Sequence, residues 1–105
     1  MFRDIECGKV NLQHIAQSVT IAGWVHRRRD HGGLIFIDVR DSKGIVQVVI
    51  NPESGNKLHN TAQNLRNEWV VQISGTVEAR PSGTINPEMP TGEIEINAKK
   101  IKMIL

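Results

Sequence analysis

A chain of 105 residues buries roughly two thirds of the surface its unfolded form exposes, enough for one modest core and not two. A single domain spanning 1–105 is therefore expected, with little room for a nucleotide site, a catalytic centre and a recognition surface together. Lys and Arg number 13 against 11 Asp and Glu, a formal net charge of +2. This argues against indiscriminate coating of nucleic acid, which needs many phosphate contacts, so any such affinity must come from a local cluster. Cys7 is the only cysteine, which rules out an internal disulfide and a cysteine-based zinc site. MFRDIECGKV lacks the apolar core of a secretory leader, and no run approaches the ~20 apolar residues of a membrane-spanning helix. A soluble protein of the reducing cytoplasm is expected.

Taken in chain order, residues 19–29 (VTIAGWVHRRR) place Val19, Ile21, Gly23 and Val25 on one side of a first strand. Residues 34–40 (LIFIDVR) alternate again, with Ile35, Ile37 and Val39 opposite Leu34, Phe36, Asp38 and Arg40. Asp41-Ser42-Lys43-Gly44 suits a short hairpin turn with glycine where a positive φ is needed, and 45–50 (IVQVVI) make the third strand. Within 56–68, Leu58, Ala62 and Leu65 recur at helical spacing, and Trp69 extends that face. Residues 69–80 (WVVQISGTVEAR) return to alternation, with Val71, Ile73, Gly75 and Val77 together. PSGTINPEMPT holds three of the four prolines and reads as a long loop. Residues 92–104 supply the last strand, with Ile94 and Ile96 opposing Glu93 and Glu95.

The order β-β-β-α-β-β predicts an all-β OB-fold, a five-stranded Greek-key β-barrel with a helix between strands 3 and 4. That architecture binds oligonucleotides on the face of strands 2 and 3, flanked by the loops between strands 1 and 2 and between 4 and 5. If Ile35, Ile37 and Val39 point inward, Phe36 points out; if Val46, Val48 and Ile50 point inward, so does Gln47 point out. A ring and an amide on adjacent strands suit single-stranded RNA, the ring stacking on a base and the amide pairing with its edge. An outer residue covered by a neighbouring domain is the plainer reading of Phe36. Arg27, Arg28 and Arg29 offer planar forks to phosphate or base edges. In an extended strand Arg27 and Arg29 share a side that Arg28 opposes. A charge run is ordinarily a solvated face, but this one stands beside Phe36. For Glu93 and Glu95 the default is solvent exposure.

Motifs for catalysis are missing from the sequence: it has no G-x-x-x-x-G-K-[ST], G-x-G-x-x-G or H-E-x-x-H. His14, His26, His31 and His59 lack metal-ligand spacing. No catalytic residue, metal or cofactor is expected in this segment. Two rivals to specific RNA recognition remain. A general single-strand binder would use several stacking aromatics and a broad basic groove, whereas this chain has two Phe and two Trp. A protein-docking module would bind its partner through the outer face instead.

GWVHRRRDHGGLIFIDVRDSKGIVQVVI, with the opening CGKV, the segment LRNEWVV and the closing GTINPEMPTGEIEI, closely resembles the N-terminal anticodon-binding domain of bacterial aspartyl-tRNA synthetases over nearly the whole chain. The resemblance implies that Phe36 stacks on an anticodon base and that Gln47 recognises the middle uracil. It implies that Glu95 reads the first base helped by Arg29, and that Arg80 lies near the anticodon, with Arg27 on the same RNA-binding face. The parent would ligate aspartate to tRNA-Asp with ATP and Mg²⁺ in a class II catalytic domain outside these residues. It would be a homodimer whose contacts lie largely outside this domain, leaving the segment itself monomeric. His31 after RRRD and Gly83 in the other loop resemble synthetases of relaxed specificity that also charge tRNA-Asn. Ala16, where the family often has glycine, and Ser42, where it often has arginine, depart from the pattern outside the recognition set.

Overall fold

The computed structural model of the chain describes residues 3–104. The alternating β-branched runs form five strands: β1 (Ser18–His31), β2 (Leu34–Asp41), β3 (Gly44–Ile50), β4 (Val70–Ala79) and β5 (Ile94–Met103). One helix, α1 (Asn56–Gln63), lies between β3 and β4. The strands close into a barrel in the order β1-β2-β3-β5-β4, with β4 pairing back onto β1. The pairings are antiparallel except between β3 and β5, where Val48 meets Ile96 and Val49 meets Asn97 in a short parallel contact. Closure gives every strand a neighbour on each side over part of its length. This is the OB-fold that the alternation predicts.

The barrel is filled by the inward set of every strand. Ile21 and Val25 of β1, Ile37 and Val39 of β2, Val46 and Val48 of β3, Ile73 and Val77 of β4 and Ile94 and Ile96 of β5 are fully buried. Each such side chain contributes about 1.5–3 kcal/mol relative to exposure. Helix α1 plugs one end of the barrel with Ala62, and Leu58 packs against the same core. The helix is shorter than its periodicity suggests. It ends at Gln63, and the turn tightens where the Leu65 N–H donates to the Ala62 carbonyl at 3.2 Å. Leu65 and Trp69 still reach the core, but from the irregular segment that leads into β4. Among the described residues no helix is long and apolar enough to cross a membrane.

Two short 3-10 turns that periodicity does not reveal, Cys7–Lys9 and Leu12–His14, precede β1. The first is clipped to the β2–β3 turn through Asp41. Its carboxylate accepts the N–H of Cys7 at 2.8 Å on one oxygen and the N–H of Lys43 at 2.8 Å on the other. Burial alone would raise the Asp41 pKa, but those two N–H groups and the charge of Arg3 bring it below its ordinary 3.8. Gly8 is required at this clip, because a side chain there would collide with the Lys43 carbonyl. Burial and the neighbouring Asp41 carboxylate push the Cys7 thiol far above its usual range. Just before β1, Ala16 holds a left-handed backbone (φ +72°) while its N–H donates to the Val77 carbonyl at 2.8 Å. Such a conformation costs an L-residue about 1–2 kcal/mol, so glycine would be physically favoured at this position.

Candidate nucleic-acid interface

The outer faces of β1, β2 and β3 meet the β4–β5 loop (residues 80–93) around an open cleft of about 410 Å³. That size falls within the roughly 300–1,000 Å³ of small-ligand sites. It is lined by Arg27, Arg29, Phe36, Asp38, Gln47, Arg80, Thr84, Asn86 and Met89. Phe36 and Asp38 arrive there by simple alternation, since Ile35, Ile37 and Val39 between and beside them point into the barrel.

The arginines arrive by a different route. Strict alternation from the buried Val25 would send Arg27 and Arg29 inward. The register shifts between Val25 and Arg27, however: Val25 pairs with Val39 and Arg27 with Asp38, so His26 is an extra residue in β1. This β-bulge reverses the parity downstream of it. Arg27 and Arg29 then stand opposite Asp38 and Phe36 on the outer face. Arg28 turns the other way, and its guanidinium donates to the carbonyl oxygens of Ala62 at 3.4 Å and of Gln63, at the C-terminal end of α1. There a cation complements both the unpaired carbonyls and the helix dipole.

Within the cleft the polar groups form one chain. Arg29 Nη2 donates to Asp38 Oδ1 at 3.4 Å and to Gln47 Oε1 at 3.0 Å, and Gln47 Nε2 donates to Glu95 Oε1 at 3.0 Å. The Arg29 guanidinium also lies 5.5 Å from the centre of the Phe36 ring, within cation–π range. Its Nε is buried and has no hydrogen-bond partner among the described residues. Gln47 and Glu95 are 6% and 8% exposed; Gln47 lines the cleft and Glu95 backs it through their shared hydrogen bond. Burial raises the Glu95 pKa; the hydrogen bond from Gln47 and the charge of Arg80 pull it down, and Glu78 pushes it up.

The β4–β5 loop forms the remaining wall and is anchored by Arg80, itself 7% exposed. Its Nε donates to the Ile94 carbonyl at 2.9 Å, Nη1 to the Thr84 carbonyl at 3.4 Å and Nη2 to Met89 Sδ at 3.7 Å. Burial lowers the Arg80 pKa, an effect opposed by the charges of Glu95 and Asp38. Thr91 ties the far end of the loop to β3 through a 2.7 Å hydrogen bond to the Ile45 carbonyl.

Of the residues singled out from the sequence, Arg27, Arg29, Phe36, Gln47 and Arg80 line the cleft, and Glu95 lies beneath Gln47. The expected exposure of Glu95 is overturned: parity merely turns it outward, but it is 8% exposed and its carboxylate is taken up by Gln47 near the charge of Arg80; Glu93 is exposed. His31, at the tip of the β1–β2 hairpin, and Gly83, in the β4–β5 loop with φ +91° and open space around it, are exposed and stand apart from the lining. Asp38, Thr84, Asn86 and Met89 were not anticipated as site residues. The alternation of β2 carried the signal for Asp38, while the loop residues have no periodicity to betray them.

The chain spans about a sixth of the length of the curated relatives it matches. An aspartate–tRNA(Asp/Asn) ligase from Halothermothrix orenii is 52% identical over 97 residues, which cover 92% of this chain and 16% of that protein. An aspartate–tRNA ligase from Oceanobacillus iheyensis is 48% identical over 104 residues, 99% of this chain and 18% of that protein. Among solved structures, the asparaginyl-tRNA synthetase from Pyrococcus horikoshii superposes with a TM-score of 0.84 at 30% identity, covering 99% of this chain and 23% of that one. Residues 19–104, from the start of β1 through β5, match the tRNA_anti-codon family. The chain therefore belongs to that family of OB-fold nucleic acid binding domains.

Proposed function

We propose that this domain reads the anticodon of tRNA-Asp on the outer face of β2 and β3, as the N-terminal module of an aspartate–tRNA ligase. The observation that carries this reading is the meeting of a stacking ring, Phe36, with the hydrogen-bonded chain Arg29–Gln47–Glu95 in one cleft. An unpaired base needs those two things together, a flat surface and groups that address its edge. Phe36 stacks on an anticodon base, Gln47 meets the middle uracil, and Glu95 with Arg29 meets the first base. Arg27 supplies positive charge at the rim, and Arg80 holds the loop that walls the cleft.

Relatives named for both tRNA-Asp and tRNA-Asn support extending the substrate to tRNA-Asn. In that extension His31 and Gly83 set the tolerance from their exposed loops, outside the lining of the cleft. The ligation of aspartate, with ATP and Mg²⁺, belongs to a catalytic region beyond these residues, in a cytoplasmic homodimer. The present segment contributes selectivity at a distance from that chemistry.

The test titrates the chain with an anticodon stem-loop carrying guanine-uracil-cytosine, and with poly-U and poly-C. Preference for the stem-loop by about tenfold or more, the scale of one good bidentate base contact, supports the reading. Equal affinity for all three would reduce the domain to a general single-strand binder. Aminoacylation of both tRNAs by the full-length protein then decides the substrate range.

A further inference from the structure

The side-chain amide of Gln47 is held from two sides by groups that cannot exchange roles. A guanidinium has donors and no acceptor, so the atom facing Arg29 Nη2 at 3.0 Å has to be Oε1. An ionised carboxylate has acceptors and no donor, so the atom facing Glu95 Oε1 at 3.0 Å has to be Nε2. Turning the amide over would lose both hydrogen bonds. It would also place the amide N–H groups against the guanidinium and its oxygen against the carboxylate. Glu95 is 8% exposed, so solvent cannot easily stand in for it, and Arg29, whose side chain is 39% exposed, is held over Gln47 by its second hydrogen bond, to Asp38.

Once these two bonds are made, Gln47 keeps one lone pair on Oε1 and one N–H on Nε2. Uracil presents an N3–H donor next to the O4 acceptor, which match an amide oxygen and an amide N–H in that order. Cytosine presents the reverse, an N3 acceptor next to the N4 amine, and matches the same amide only after it is turned over. The two pyrimidines have nearly the same shape and stack equally well on a ring, so Phe36 cannot tell them apart.

We propose that Arg29 and Glu95 act as positioning residues that clamp the Gln47 amide in a single orientation, and that this orientation is what makes the pocket accept uracil and reject cytosine at the middle anticodon base. The inference rests on the reading that Gln47 meets that base. It assigns the pyrimidine choice to the two flanking charges, with Gln47 alone neutral on the question. Glu95 acts here through Gln47, whatever contact its remaining oxygen makes with the first base.

The test compares the wild-type chain with Glu95→Gln, Arg29→Met and Gln47→Ala, on stem-loops whose middle base is uracil or cytosine. In Glu95→Gln the neighbouring amide can offer either a donor or an acceptor, so Gln47 is released on that side. The uracil-over-cytosine ratio is expected to fall by about tenfold, one bidentate contact's worth of discrimination, with the cytosine stem-loop gaining affinity in absolute terms. Arg29→Met should lower the same ratio, although it weakens both loops, and it serves if Glu95→Gln does not fold. In the RNA-free protein, the Gln47 side-chain NH₂ resonance should be protected from solvent exchange in the wild type and lose that protection in Glu95→Gln.

General damage to the site would weaken both stem-loops in proportion. That result, with the ratio intact in Glu95→Gln and Arg29→Met, overturns the clamp. A wild type without preference for uracil, or a Gln47→Ala variant with an unchanged ratio, overturns instead the placement of Gln47 at the middle base.

Discussion

Phe36→Ala separates a recognition ring from a core ring in a single variant. The ring lies on the outer face of β2, between the buried Ile35 and Ile37, with the Arg29 guanidinium 5.5 Å from its centre. Truncating a core Phe costs about 3–5 kcal/mol. Outside the barrel the main folded-state loss is the cation–π contact, worth about 0.5–1 kcal/mol at an exposed site. A loss of that size lowers the Tm of a domain this large by no more than about 4–8 °C. Binding responds differently. The loss of one base–aromatic stack, about 1–3 kcal/mol, weakens affinity by about 5- to 150-fold. Calorimetry gives the first quantity, and fluorescence anisotropy with a labelled anticodon stem-loop gives the second. A Tm lower by about 12 °C or more, the mark of a core truncation, together with unchanged RNA affinity would refute the reasoning. Unchanged affinity with an unchanged Tm would assign the face to a protein partner.

Arg28→Ala, which removes the donor to the end of α1, should cost about 1 kcal/mol of stability and leave RNA affinity intact. Arg29→Ala should instead weaken binding by about tenfold or more; the reverse ranking in paired titrations would show the strand parity to be wrong. Ala16→Gly relieves a left-handed backbone, a gain of about 1–2 kcal/mol, partly offset by about 0.4–1 kcal/mol from the freer unfolded chain. Urea denaturation should find the variant more stable, and a loss would contradict the strain. Burial raises Glu95 above its ordinary 4.5 despite Gln47 and Arg80. An acid whose pKa is higher folded than unfolded holds its proton more tightly in the fold, so stability falls as pH rises from the unfolded value through the folded one. Glu95→Gln escapes that fall, and its stability relative to wild type should be greater at about pH 7 than at about pH 4. A difference that does not vary with pH would refute the shift.

Strand order, the place of the helix and the outward set of β2 were all legible, because a barrel wall reports itself through a period of two. Depth was not. Parity says that Gln47 and Glu95 leave the core, but whether solvent reaches them depends on residues 80–93, whose path follows from hydrogen bonds made by Arg80 and Thr91. Those are long-range and leave no local pattern. Helix length was overread for a related reason: Leu65 and Trp69 fall at helical spacing and do pack on the core, but through turns that bring the chain into β4. The first turn before β1 was silent, since it answers to Asp41, 34 residues beyond Cys7, whereas the second carries a local signal in Asn11 and His14, which cap it reciprocally.

The supernumerary residue of β1 makes the recognition face a matter of counting. His26 is exposed, and its side chain could be exchanged for many others with little consequence. Its backbone unit is a spare: a codon lost at His26 would leave Arg27 directly after Val25, still opposite Asp38 and still facing out by plain alternation. A codon lost at Arg28 has no such remedy, because it would turn Arg29 from the cleft and set Asp30, of opposite charge, against Phe36. The stretch is therefore forgiving at its bulge and exacting beyond it, and the arginine triplet keeps its meaning only while the tally from Arg27 onward is preserved.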